Sequence, residues 1–129
     1  MSETAKHVAL VGHCGPDSFA LRDAIGSAVP GAEIRMVNDE ASLRVALPEV
    51  GLLLVNRLLD GSFPTQSGIE LIRTMIASGT APPAILVSNF PDAQQEAEEA
   101  GALPGFGKRD LYTAETGQRI RAALATEDR

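Results

Sequence analysis

What most constrains this chain is a rhythm: short, almost wholly apolar runs alternate with stretches of helical periodicity from end to end. The clearest runs are Leu52-Leu53-Leu54-Val55, closed by the polar Asn56, and Ala84-Ile85-Leu86-Val87-Ser88. A strand with no polar residue for either face has to be covered on both faces. That requires crossover helices and a parallel sheet, hence an α/β architecture. Five βα units fit the chain, which at 129 residues is long enough for one core and too short for two. One domain over residues 1–129 is therefore expected, with one main site.

The first strand is His7 to Gly12, and the helix after it, from about Asp17 to Ala28, puts Leu21, Ala24, Ile25 and Ala28 on one face before Pro30-Gly31 stops it. Glu33 to Val37 is the second strand. Asn38 or Asp39 can cap a short helix that runs through Leu47 and ends at Pro48. The third strand is Leu52 to Asn56. A loop from Arg57 to Gln66 then leads to Ser67-Gly68-Ile69-Glu70, a capping box that opens a helix directing Ile69, Ile72 and Ile76 inward until Gly79. Ala84 to Ser88 forms the fourth strand, and Asp92 with Gln95 opens a helix that ends at Gly101. A fifth strand is placed at Gly105 to Lys108, and a last helix at Thr113 to about Ala125.

Acidic residues outnumber basic ones by 17 to 11, a formal charge of −6, and the bases are scattered. Nucleic acid is excluded as a direct partner on this reading, because clustered Lys and Arg supply most of that affinity. Neither a signal-peptide pattern at Met1 to Lys6 nor a run approaching about 20 apolar residues is present, so the expected address is cytoplasmic, away from any membrane. The single Cys14 cannot form an internal disulfide.

In an open parallel sheet the ligand crevice lies beyond the carboxyl ends of the strands. That edge holds Gly12, His13 and Cys14, then Asn56 and Arg57, then Ser88 and Asn89, and finally Lys108. Asn56, the stretch Pro64 to Leu71, Val87-Ser88, and Gly101-Ala102 followed by Lys108 resemble, in their order, the landmarks of response-regulator receiver domains of two-component signalling. The resemblance spans nearly the whole chain. It implies a flavodoxin-like three-layer sandwich with a five-stranded parallel sheet in the order 2-1-3-4-5. In that family the third strand ends in an aspartate that is phosphorylated, an acidic pair after the first strand holds Mg²⁺, the fourth strand ends in Ser or Thr, and the fifth carries a Lys. Ser88 and Lys108 keep their positions, but Asn56 stands at the phosphoacceptor and Gly12-His13 at the acidic pair. Arg109 also replaces the family's usual proline, and the loop from Asn56 to Pro64 exceeds the common spacing.

A side-chain amide is a very poor nucleophile, and Mg²⁺ needs hard oxygen ligands that glycine and a neutral imidazole do not supply. The expected function is thus a pseudo-receiver: a phosphorylation-independent signalling or protein-interaction module, not an enzyme, without metal or cofactor. Losing the acids while keeping Lys108 and adding Arg57 should turn the pocket toward an anion, or toward a carboxylate of the protein itself. Asp17 and Asp60 are the nearest acids. Two alternatives belong to other classes. One is a phosphocarrier enzyme using Cys14, at a strand-to-helix junction, or His13; the other is a small-anion or nucleotide sensor using Arg57, Ser88 and Lys108, with Asn89 at the same edge. Asn56 could equally be a strand-end amide tying loops together, and His13 a loop histidine bonded to backbone. The polar face Gln94 to Glu99, with Arg119 and Arg121 on the last helix, suggests a homodimer through helix 4, strand 5 and helix 5, as the resemblance also implies.

Overall fold

A computed structural model describes residues 6–79 and 81–127; the segment before Lys6, which bears on the cytoplasmic reading, lies outside them. Five parallel strands form one sheet in the order β2-β1-β3-β4-β5. They are β1 (His7–Val11), β2 (Glu33–Val37), β3 (Leu52–Asn56), β4 (Ala84–Val87) and β5 (Leu103–Phe106). Between and after them run α1 (Gly15–Ala28), α2 (Glu40–Ala46), α3 (Gly68–Ser78), α4 (Pro91–Glu99) and α5 (Ala114–Glu127). No helix among the described residues is long and apolar enough to cross a membrane.

The apolar strands divide their side chains between two cores with the period of two that a pleated strand imposes. Ala9, Val11, Leu53, Val55 and Leu86 face α2, α3 and α4. Val8, Leu10, Leu52, Leu54 and Ile85 face α1 and α5. Register follows: Leu10 lies beside Leu54 in the β1–β3 pair, and Leu54 beside Ile85 in the β3–β4 pair.

The helix punctuation acts largely as the residue chemistry requires. Asp39 accepts the Ser42 amide at 2.7 Å to open α2, Ser67 Oγ accepts the Glu70 amide at 3.2 Å to open α3, and Gly79, at a φ of +78°, closes α3.

Several expectations are corrected. Ile76 does not point inward: at 39 % exposure it lies in the last turn of α3 against Gly101, while Leu71 and Met75 join Ile69 and Ile72 in the buried stripe. Asp92 is not a cap; Phe90 stands at the N-cap position without a side-chain bond, and Pro91 begins the helix. The fifth strand comes two residues earlier than expected, because Leu103 pairs with Ile85 and Phe106 with Val87 across an irregular register. Lys108 therefore falls in a 3₁₀ turn, Lys108–Asp110.

Gln94 is not part of a solvated face. Its Nε2 is shared among the carbonyls of Leu86 (2.8 Å), Ser88 (3.1 Å) and Phe106 (3.3 Å), tying α4 to β4 and β5. Gly105 permits this, since a Cβ there would sit 2.4 Å from Leu86 O and 2.5 Å from Gln94 Oε1. The two arginines of α5 also turn to their own chain. Arg119 donates to Gly105 O and pairs with Glu115, and Arg121 donates to Ala28 O.

Candidate functional site

The carboxyl edge of the sheet gathers the strand-end residues singled out in the sequence into two groups that share Asn56 and Lys108. Over β1 and β2 the edge is closed by the loop that follows β3. At Gly12 the backbone takes a φ of +74°, which glycine adopts without strain. Its carbonyl accepts the Asp60 amide at 2.9 Å and one Asn56 Nδ2 hydrogen at 2.9 Å. The loop continues outward: Ser62 N donates to Asn38 O at 2.8 Å, and Glu40 N to Ser62 O at 3.1 Å. Asn38 Nδ2 reaches back to the carbonyls of His13 (3.2 Å) and Asp60 (3.1 Å).

Leu59, 8 % exposed, rests on Gly12. A Cβ at Gly12 would lie 2.6 Å from Leu59 Cδ2 and 3.1 Å from Leu59 Cα, so a side chain at Gly12 would force Leu59 to shift. The longer loop noted in the sequence is thus a strap across the mouth of the fold, and Leu59 is a residue the sequence reading missed.

Asn56 spends both hydrogens of its amide, the second going to Leu58 O at 2.8 Å. Its Oδ1 is the group left over. His13 is almost fully buried, at 2 % exposure; its Nε2 lies 2.9 Å from Leu54 O, which as a pure acceptor fixes the proton on Nε2. Nδ1 has no partner. Burial, above all, pushes the His13 pKa down from 6.5 to about 4, with the nearby Lys108 charge acting in the same direction and the Leu54 bond opposing.

Lys108 lies 2.5 Å from the Asp17 carboxylate, both side chains about one-third exposed at 34 %. The anion expected for the pocket is in this respect supplied by the first turn of α1. Lys108 first, and the Cys14 thiol second among the hydrogen-bonding groups, hold the Asp17 carboxyl below its ordinary range.

The second group surrounds a cavity of about 280 Å³ between the ends of β3 and β4, with Asn56, Arg57, Ser88, Asn89, Phe90 and Lys108 in its wall. The Arg57 guanidinium stands over the Phe90 ring, 4.8 Å from its centroid. Phe90, 58 % exposed, is a second residue without a sequence signal. Ser88 Oγ accepts the Phe90 amide at 3.1 Å, and Asn89 Oδ1 accepts the Arg109 amide at 3.1 Å.

A receiver-type Mg²⁺ does not fit this edge. The place over Gly12 is filled by Leu59 and by the backbone of Asp60, and Asn56 already gives both hydrogens to backbone carbonyls. Among the described residues no group of three His, Cys, Asp or Glu side chains could hold a metal ion.

No protein-family model matches the sequence, and no curated protein matches it. Solved structures do resemble it. A response regulator from Thermotoga maritima superposes with a TM-score of 0.73 at 16 % identity, covering 95 % of this chain and 99 % of that one. A chain from Chloroflexus aurantiacus J-10-fl, ascribed to the response regulators, gives 0.74 at 19 %, with the same coverage of 95 % and 99 %. The phosphorylated cyanobacterial phytochrome response regulator RcpA gives 0.64 at 17 %, covering 97 % of this chain and 93 % of that one. With five parallel strands in the 2-1-3-4-5 order and five helices about them, this chain has the fold of a response-regulator receiver domain.

Proposed function

We propose that this chain acts as one phosphorylation-independent receiver unit, a protein-interaction module in signalling of the two-component type. The observation that carries the proposal is the double donation of Asn56 to Gly12 O and Leu58 O beneath the Leu59 strap. The Asn56 amide nitrogen is thereby committed to holding the loops together. RcpA is a phosphorylated response regulator; the present chain keeps that scaffold but has an amide where an acceptor carboxylate would be needed, and an amide does not attack phosphorus.

A catalytic reading of Cys14 or His13 gains no support from the geometry. His13 is enclosed and donates to Leu54 O. Cys14, at the N-cap of α1, precedes a first turn that carries the Asp17 carboxylate, a negative charge that opposes an incoming phosphate. The partner we infer is a protein, outside the membrane and without nucleic acid. A homodimer through α4, β5 and α5 would have to be held by contacts other than Arg119 and Arg121, which are engaged within the chain.

The test is incubation with acetyl phosphate and Mg²⁺ followed by intact mass spectrometry. The protein should remain unmodified. A stable phosphoryl adduct on the unaltered chain would remove the proposal, and its loss in Cys14→Ser or His13→Ala would install the phosphocarrier reading instead.

A further inference from the structure

A cavity of about 330 Å³ lies between α1 and α5, and it shares no wall residue with the cavity at the strand ends. Small side chains make it. Ala24 and Ala28 of α1 line it from one side and Ala114 and Gly117 of α5 from the other, with Leu111 buried behind them. Glycine inside a helix is unfavourable beside alanine. At position 117 the missing side chain leaves room for another, because a Cβ there would stand 3.2 Å from Arg121 Nη1 and 3.6 Å from Ala28 Cβ. Arg121 lies back along α5 over this glycine and donates to Ala28 O, in the last turn of α1, at 3.2 Å.

The two ends of the cleft differ in charge. At one end the Tyr112 hydroxyl donates to Asp23 Oδ2 at 2.9 Å, which pins an otherwise exposed ring as a wall. At the other, about 7.5 Å further along α1, Arg121 uses one N–H on Ala28 O, forms no ion pair among the described residues and keeps the remaining donors of its planar fork. Ser27, beside Ala28 in the same wall, has a hydroxyl without a partner among the described residues.

The complementary guest carries one negative group at the Arg121 end and a compact apolar body that reaches the Tyr112 ring, away from its own kind of charge on Asp23. A carboxylate matches the guanidinium fork with two parallel hydrogen bonds. A phosphate monoester brings nearly two charges at neutral pH, too many for a cleft with one cation on a chain of net charge −6. The volume, at the lower edge of the roughly 300–1,000 Å³ of small-molecule sites, suits a single ring and excludes a whole nucleotide.

We propose that the cleft between α1 and α5 is a binding site for small aromatic monocarboxylates, with the carboxylate held by Arg121 and Ser27 and the ring seated between Tyr112 and the alanines. The site goes beyond the interaction role and does not depend on the state of Asn56, since the two places have no residue in common.

The experiment is a titration of the ¹⁵N-labelled full chain with benzoate at constant ionic strength, followed on the backbone amides of residues 27–28, 112–114 and 117–121. Benzylamine, which inverts the charge, phenyl phosphate, which doubles it, and acetate, which lacks the ring, are the comparators. Benzoate should shift these amides in a saturable way, and all three comparators should bind more weakly. Arg121→Gln should weaken benzoate binding by about tenfold or more, the equivalent of one charged hydrogen bond, while the unperturbed remainder of its spectrum reports an intact fold. Ala114→Leu, an exposed position in the first turn of α5, should weaken it by filling the cleft. Absence of a saturable response up to tens of millimolar benzoate, a comparator that binds as tightly, or unchanged affinity in either variant would each overturn the proposal.

Discussion

Replacing Asn56 by Asp changes one atom group and should damage the fold instead of creating a phosphorylation site. The amide nitrogen lies 2.9 Å from Gly12 O and 2.8 Å from Leu58 O. A carboxylate in its place has nothing to donate and sets an anionic oxygen against two carbonyl oxygens. Two hydrogen bonds worth about 1 kcal/mol each are lost. The added repulsion is moderated because Asn56 is half-buried, and Gly12 O is not orphaned, since it keeps the Asp60 amide at 2.9 Å. A total of about 2–3 kcal/mol at neutral pH follows, or a fall in Tm of about 6–15 °C for a domain of this size. The folded site disfavours the charged form, so the introduced carboxyl titrates above its unfolded value of about 3.9. Its protonated form can donate once, and the deficit should therefore be smallest near pH 4 and grow as the pH rises through the folded-state pKa. Urea unfolding of both proteins at acid and neutral pH measures the gap directly. Equal stability at neutral pH, a gap that widens in acid, or Mg²⁺-dependent phosphorylation of the variant would each refute the reasoning, the last because Gly12 and His13 would then have been supplemented by other acids.

Two further perturbations probe the surrounding structure. With its pKa lowered from 6.5 to about 4 in the folded state, His13 is unprotonated where the unfolded chain binds a proton, so stability should fall as the pH drops from about 6.5 toward 4, by up to about 3 kcal/mol from this residue. His13→Gln should flatten that part of the profile, and an unchanged slope in urea melts would show that the histidine is not the source. Gly105→Ala should cost about 1–3 kcal/mol by overpacking, because the new Cβ would meet Leu86 O at 2.4 Å and Gln94 Oε1 at 2.5 Å; a variant as stable as the parent would mean that Gln94 does not tie α4 to the sheet.

Much of the architecture was legible because it is written in local patterns. The unbroken apolar runs at Leu52–Val55 and Ala84–Val87 can only be buried on both faces, and Ser67 three residues before Glu70 announces α3. The fifth strand was displaced because its residues, Leu103-Pro104-Gly105-Phe106, contain both residue types that depress strand propensity. There the pairing is decided by β4 and by the close approach of Gln94 to a glycine, neither of which shows in a window of sequence. The composition of the site was legible, since strand ends in a parallel sheet converge. Its arrangement was not. That Lys108 is drawn to Asp17 across 91 residues, or that Arg57 finds the ring of Phe90, depends on loops whose course is set by tertiary hydrogen bonds.

The packing and the hydrogen bonding at this edge centre on the same two residues, Gly12 and Asn56. A receiver that takes up phosphate needs acids at the mouth, and acids at the mouth need space for a cation and its water. Here Gly12 admits Leu59 where a side chain would exclude it, and Asn56 donates where an acid would repel. Both residues act on the same loop. An acid at position 56 would loosen the strap over Gly12, while a side chain at position 12 would press on Leu59 and take an unfavourable positive φ. Either change made alone is therefore expected to cost stability.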